Sequence, residues 1–195
     1  MFLDRDGTLI EEAGYLGRLE QVQFYPWAID AIRLLNRAGL AVVVTTNQSG
    51  IARGFFAETF VQETHKHLDR HFVQGGARVD RYYYCPHHPD GTVEAYRVVC
   101  DCRKPRPGMA RQAAAELGLD LAKSFAVGDK WSDVGFGQAI GGHGVLVRTG
   151  VGSHEEQRPR DDVRPSAIVD NVMAAVAWIL GRNERVRQVQ ERSRG

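Results

Sequence analysis

Apolar residues in this chain fall either into short unbroken runs or into stretches where they recur every three or four positions. The first pattern marks strands covered on both faces, and the second marks helices with one buried stripe. Residues 1–3 read as the end of a buried strand, shorter than the usual five or six residues, so either the strand is clipped or the true start lies upstream. Residues 9–25 lack a period, and Gly14-Tyr15 with Gly17 suggest a loop able to fold over a site. Pro26 opens a helix with Ala28, Ile32 and Leu35 on one face and Gly39 as its stop. A β-branched strand over 40–44 runs into Thr45-Thr46-Asn47-Gln48-Ser49-Gly50. Phe60, Thr64, Leu68 and Phe72 then repeat at four in a helix over 57–72, where His65, His67 and His71 read as surface or packing residues rather than ligands.

A strand over 79–84 leads into an irregular stretch over 85–106. Pro105 and Pro107 bracket the start of a helix that runs to Leu117 and stops at Gly118. A strand over 124–127 ends in Gly128-Asp129-Lys130, followed by a helix over 132–140, a strand over 144–148 and a polar loop through Arg164. A strand over 167–169 and a helix over 172–180 complete the alternation, and the arginine-rich tail from Gly181 reads as a frayed helix end or disorder. The expected fold is α/β, a doubly wound parallel sheet with helices on both faces. Ligands of such sheets bind outside the C-terminal ends of the strands. Asp4 and Asp6, Thr46 and Asn47, and Asp129 with Lys130 all end strands, so they should converge on one crevice.

Length and charge narrow the picture. With 195 residues and 43% hydrophobic content, one core over 1–181 is expected, followed by a basic tail over 182–195. Lys plus Arg (25) nearly balance Asp plus Glu (24), so no global field marks a nucleic-acid or membrane binder, and an anionic ligand must be met by local cations. The apolar runs at 40–44 and 174–180 are too short to cross a bilayer and no signal segment stands at the start, so a cytoplasmic protein, a monomer, is expected. Only Cys85, Cys100 and Cys102 occur, a poor disulfide framework.

Asp4-x-Asp6, by itself, could be an ordinary acidic turn. Joined by Asp129, it supplies the oxygen-rich anionic ligation that Mg²⁺ prefers, which points to phosphate as substrate. A carboxylate nucleophile on phosphorus forms an aspartyl-phosphate, with cations and a hydroxyl positioning the phosphoryl group and a neighbouring acid moving the proton. No Gly-x-Ser-x-Gly elbow or phosphate-cradling Walker loop offers another chemistry. Cys85-Pro86-His87 and Cys100-Asp101-Cys102 form two chelating pairs suited to tetrahedral structural Zn²⁺ in a loop over 85–102. Reduced buried thiols beside an incidental histidine are the plain alternative, and His88 could replace His87. Zinc there would hold Arg103 and Lys104 at the crevice.

The set Asp4-x-Asp6-Gly7-Thr8, Thr46-Asn47, Lys104 and Gly128-Asp129-x-x-x-Asp133 resembles the four motifs of the haloacid dehalogenase (HAD) superfamily of phosphatases. The resemblance implies Asp4 as nucleophile, Asp6 as general acid and base, Thr46 and Lys104 on the phosphoryl group, and Mg²⁺ on Asp4, Asp129 and the Asp6 carbonyl. Asp133 would assist through a water or cap the following helix. The zinc loop, Gly14-Tyr15, the run from Thr46 to Gly54 and Cys102-Arg103-Lys104-Pro105 narrow the likeness to a capless subgroup that includes heptose-bisphosphate and histidinol-phosphate phosphatases. That implies substrate contacts from Glu12, Ala13, Gly14 and Tyr15, from Asn47, Gln48 and Ser49, and from Lys130, with Arg103 on a second phosphate. The expected activity is Mg²⁺-dependent removal of the 7-phosphate of a small sugar bisphosphate. Histidinol-phosphate hydrolysis and a zinc-stabilised, non-catalytic binding module stand as alternatives.

Overall fold

A computed structural model describes the backbone of residues 1–192 and the side chains of residues 1–182. Six strands form one all-parallel sheet in the order β3-β2-β1-β4-β5-β6. They are β1 (Phe2–Leu3), β2 (Val43–Asn47), β3 (Arg81–Cys85), β4 (Phe125–Gly128), β5 (His143–Val147) and β6 (Ala167–Val169). The strand order reverses between β1 and β4, and there the crossovers diverge and leave a crevice. Among the described residues there is no second sheet, and the zinc-type loop is the long excursion at the strands' C-terminal edge.

The helices are α1 (Ala28–Arg37), α2 (Ser49–Ala52), α3 (Glu58–Gln74), α4 (Gly108–Leu117), α5 (Trp131–Ala139), α6 (Gly152–Glu156) and α7 (Val172–Arg192). Alternate strand residues feed two cores. Leu3, Val44, Val127 and Val145 meet the buried faces of α1, α3 and α7, while Phe2, Val43 and Ala126 meet α4 and α5 through Met109, Ala113 and Phe136. Ala28, Ile32 and Leu35 are buried on α1, as their spacing predicts. None of the described helices is long and apolar enough to cross a membrane.

Differences from the sequence reading have local causes. β2 begins three residues later than its apolar run and takes in Thr45, Thr46 and Asn47, which pair with Tyr83, Tyr84 and Cys85. Threonine is β-branched, and paired with β3 it sits well in a strand. The two shortest helices, α2 and α6, lie in stretches read as polar loop, because four or five residues are too few to show a period. Leu9 and Ile10 are buried, with Ile10 bridging to Phe24, so only the middle of the 9–25 segment is an open loop. α7 runs past Leu180 to Arg192, over the stretch read as a frayed helix end or disorder. Residues 193–195 and the side chains of the rest of the expected tail lie outside the described residues.

Candidate active site

Asp4 leaves β1 and Asp129 leaves β4 on either side of the switch point. The carbonyl of Arg5 accepts N–H bonds from Thr8, Leu9 and Ile10, coiling the chain after Asp4 into a tight loop. Gly7 (φ +80°) and Gly150 (φ +57°) press on the Asp129 carboxylate from two directions, and a Cβ at either would overlap it. Val151 N–H donates to Asp129 Oδ2 (2.9 Å), while Asp129 Oδ1 is buried without a partner.

Lys104 arrives from the cysteine loop and is 4% exposed. Its ammonium group donates to Asp4 Oδ1 (2.7 Å) and to the Thr45 carbonyl (2.7 Å), and it pairs with Asp133. The Asn47 carboxamide fixes the Lys104 backbone, accepting from its N–H (3.0 Å) and donating to its carbonyl (3.1 Å). Asp133 also accepts from Lys130 N–H (3.1 Å), so it caps α5.

The acids experience different fields. Burial pushes Asp4 up to about 6 against the pull of Lys104. Burial and then the neighbouring Asp4 carry Asp129 to about 8, with Lys130 opposing. For Asp6, burial is outweighed by the Arg5 guanidinium, which holds its carboxyl below the usual range. Arg5 grips Asp6 at 3.0–3.2 Å while Gln48 donates to its Oδ2 at 2.8 Å and Thr46 Oγ1 does so at 3.3 Å.

A cavity of about 480 Å³ opens above this cluster. Of the sequence-predicted residues, Asp4, Asp6, Glu12, Gly14, Tyr15, Thr46, Asn47, Gln48, Ser49, Arg103, Lys104 and Lys130 line it. Asp129 lies fully buried, and Ala13 is exposed and off the wall. Lys130 donates to Glu12 (2.7 Å), which also accepts from Gly14 N–H (2.9 Å), so Glu12 ties the open loop to the site.

Carboxylate oxygens of Asp4, Asp129 and Asp133 lie within 4.8 Å of one another. Three crowded buried acids with one orphaned oxygen fit a small hard cation, and the all-oxygen donor set suits Mg²⁺. The Asp6 side chain is turned away toward Arg5. Cys85 Sγ, Cys100 Sγ, Cys102 Sγ and His87 Nδ1 form a second cluster, with sulfurs 3.2–3.5 Å apart and Nδ1 3.3 Å from Cys102 Sγ. A tetrahedron with Zn–S near 2.3 Å and Zn–N near 2.0 Å has S–S edges of about 3.8 Å and S–N edges of about 3.5 Å, so a separation of the sulfurs by a few tenths of an ångström would fit the four atoms to zinc. His87 is the histidine in this set. His88 instead accepts from Asp90 N–H through Nδ1 (3.1 Å), and burial, then Arg103 and Arg53, hold its imidazole below the usual range.

Residues 101–175 match the HAD-hydrolase-like family model. The D-glycero-β-D-manno-heptose-1,7-bisphosphate 7-phosphatase of Escherichia coli K12 is 47% identical over 151 residues, covering 77% of this chain and 79% of the relative. The Pasteurella multocida Pm70 protein of the same name is 42% identical over 172 residues, 87% of this chain and 92% of its own. This chain belongs to the heptose-bisphosphate phosphatase family of HAD-like hydrolases. The crystal structure of D,D-heptose 1,7-bisphosphate phosphatase from B. bronchiseptica, complexed with magnesium and phosphate, superposes with a TM-score of 0.80 at 32% identity, covering 93% of this chain and 98% of that one. As a member of this family the chain is a phosphoric monoester hydrolase.

Several residues of this phosphatase site escaped sequence reasoning. Thr149 donates to the Gly7 carbonyl (2.6 Å), so the loop after β5 closes the Asp129 side of the crevice. Arg5, Thr149 and Val151 carry no motif and reach the site only through the fold. The sequence marks Asn47 by its place after Thr46, whereas the engagement of its carboxamide by Lys104 follows only from the fold.

Proposed function

We propose that this chain removes the 7-phosphate of D-glycero-D-manno-heptose 1,7-bisphosphate through an aspartyl-phosphate on Asp4. The observation that carries the chemistry is Asp4 itself, a buried carboxylate on the cavity wall, 2.7 Å from a buried lysine and beside two further acids. The identity of the sugar rests on the names of the relatives at 42–47% identity.

Asp4 attacks phosphorus and the P–O7 bond breaks; Asp6 must enter this step protonated, taking a proton from solvent or from the incoming phosphate monoanion against the hold of Arg5, and gives it to the departing sugar oxygen. Asp6 then takes a proton from a water that attacks the aspartyl-phosphate, returning Asp4 and releasing phosphate. Mg²⁺ held by Asp4, Asp129 and the Asp6 backbone carbonyl would lessen repulsion between the anionic nucleophile and the anionic phosphate. All three ammonium protons of Lys104 are engaged, by Asp4, the Thr45 carbonyl and Asp133, so it meets a phosphoryl oxygen by turning from Asp4. Asp133 and Asn47 keep it in place through that exchange. Thr46 Oγ1, next to Asp6, is placed to orient the phosphoryl group. Lys130 carries positive charge beside Asp129.

Zinc on Cys85, His87, Cys100 and Cys102 has a structural part in this reading, fixing the segment that ends in Arg103 and Lys104. A cytoplasmic monomer that serves nucleotide-activated heptose synthesis and needs neither nucleic acid nor membrane belongs to the same reading. The test is phosphate release from a panel of esters including both heptose bisphosphate anomers and histidinol phosphate. A kcat/KM led by the heptose substrates supports the reading, and turnover retained by Asp4→Asn sinks the covalent mechanism.

A further inference from the structure

The three residues after Arg148 each bond to a different partner on the Asp129 side of the crevice. Thr149 Oγ1 donates to the Gly7 carbonyl (2.6 Å), Gly150 N–H donates to the Tyr25 hydroxyl (3.1 Å), and Val151 N–H donates to Asp129 Oδ2 (2.9 Å). Gly150, at φ +57°, sits so close to Asp129 and Gly7 that a side chain there would overlap both, so any shift of this turn is felt by the carboxylate.

Tyr25 is itself firmly held. Its N–H donates to the carbonyl of the buried Leu9 (3.1 Å), its carbonyl accepts from Ala28 N–H (3.0 Å) at the start of α1, and its ring stacks on Trp27 with centroids 5.5 Å apart and planes 7° from parallel. From that base its hydroxyl meets one backbone N–H 125 positions away in sequence. Tyr25 does not line the cavity, so it acts on the site only through the turn.

The effect of the turn is to divide the oxygens of Asp129. Oδ2 is taken up by Val151, whereas Oδ1 is buried without a hydrogen-bond partner in a residue that is 0% exposed. Lys130 Nζ stands 3.9 Å from Oδ1, beyond hydrogen-bonding distance. Asp129 also belongs, with Asp4 and Asp133, to the group of acids that fits a small hard cation.

We propose that Tyr25 and Thr149 are positioning residues for the metal: by pinning the 149–151 turn they keep one oxygen of Asp129 on Val151 and leave the other for Mg²⁺. This rests on the metal site in the reading above and adds two residues that shape it without being ligands.

The experiment titrates Mg²⁺ alone into the full chain, Tyr25→Phe and Thr149→Val, and reads the rise in Tm above each chain's own metal-free value. Tyr25→Phe keeps the ring stacked on Trp27 and removes only the acceptor. The Mg²⁺ needed for a given stabilisation scales with its Kd, and one neutral hydrogen bond corresponds to roughly a two- to tenfold change in such a constant. Each variant should therefore need about two- to tenfold more Mg²⁺ for the same rise, because the ion must then order a carboxylate that the parent chain holds ready. A purely structural role would lower the metal-free Tm and leave the Mg²⁺ requirement unchanged. That result, or a lower requirement, overturns the positioning role while the metal site stands. Should Tyr25→Phe fail to fold, Thr149→Val decides alone by the same measure. If Mg²⁺ leaves the Tm of the unaltered chain unmoved, the metal site and the positioning role fall together.

Discussion

Replacing Asn47 with alanine tests whether its carboxamide positions Lys104 or contacts substrate. Both ends of the amide are spent on Lys104, on its N–H at 3.0 Å and its carbonyl at 3.1 Å, linking the end of β2 to the far end of the cysteine loop, 57 residues away in sequence. Each hydrogen bond is worth about 1 kcal/mol net, and a buried amide group left without a partner costs roughly 1–3 kcal/mol. Water entering the enlarged site recovers part of this, so we expect a loss of about 2 kcal/mol, or about 4–8 °C in Tm for a chain of this size. The Lys104 ammonium hangs from that backbone and is aimed at Asp4. A displacement on the order of 1 Å costs about 100-fold in rate. The expected result is a fall of at least about tenfold in kcat, equal for bisphosphate and monophosphate esters, together with the Tm loss. A substrate contact would instead raise KM for one ester and leave Tm unchanged. Either that outcome or a kcat within twofold of the parent refutes the positioning role.

Three further outcomes follow from the same geometry. Mg²⁺ should raise the Tm of the parent chain and leave Asp129→Asn unmoved, and a thermal-shift titration with equal responses would remove Asp129 from the metal site. Strong chelation of zinc, or Cys102→Ser, should lower Tm and cut activity in a way that added Mg²⁺ does not restore; full activity with no stoichiometric zinc by metal analysis would end the scaffold reading. His65, stacked on Tyr82 at 5.0 Å, is held near a pKa of about 3 by burial and then by the nearby Arg5, against an ordinary 6.5. Its folded-state pKa is depressed, so the unfolded chain binds the extra proton between pH 6.5 and about 3. Stability is therefore lost as pH falls through that window, by about 1.4 kcal/mol per pH unit from this group. Denaturant titrations from pH 7 to 4.5 should show a slope shallower by up to one proton in His65→Phe, and an unchanged slope would exclude His65 as the source.

The order of elements was legible because a doubly wound sheet leaves a strong record: buried parallel strands are continuous apolar runs, and their crossover helices carry one stripe. Strand ends were less so. The apolar run at 40–44 marks where the chain enters the core, but β2 continues through Thr45 to Asn47 because β3 goes on pairing with it after β1 has ended at Leu3. Pattern sees burial and not pairing. The acids were legible for a different reason, since Asp4, Asp6 and Asp129 each follow a strand and the switch point of the sheet gathers such ends. Arg5 and Thr149 were not: a guanidinium next to an acid in sequence says nothing of its being buried against that acid, and Thr149 reaches across 142 positions to Gly7.

Lys104 shows why the cysteine loop and the phosphate chemistry belong to one device. A lysine buried to 4% exposure is stable only if its charge is met, and here burial, which would lower its pKa, is overcome by Asp133 and Asp4. Those partners lie on the sheet side, whereas the backbone that delivers the ammonium group follows Cys102 directly. The irregular segment from Cys85 to Lys104 contains one short 3-10 turn at Glu94–Tyr96 and no α-helix or strand after Cys85 itself. Such a chain is held by scattered contacts, among them the Asn47 bonds, Val93 on Ala52, Tyr96 on Glu58 and the Cys/His cluster. Zinc bound by the four residues of that cluster would remove most of the loop's freedom at one point, two residues before Lys104. In the function proposed above, zinc on the cysteine cluster would therefore orient the reacting phosphate through Lys104.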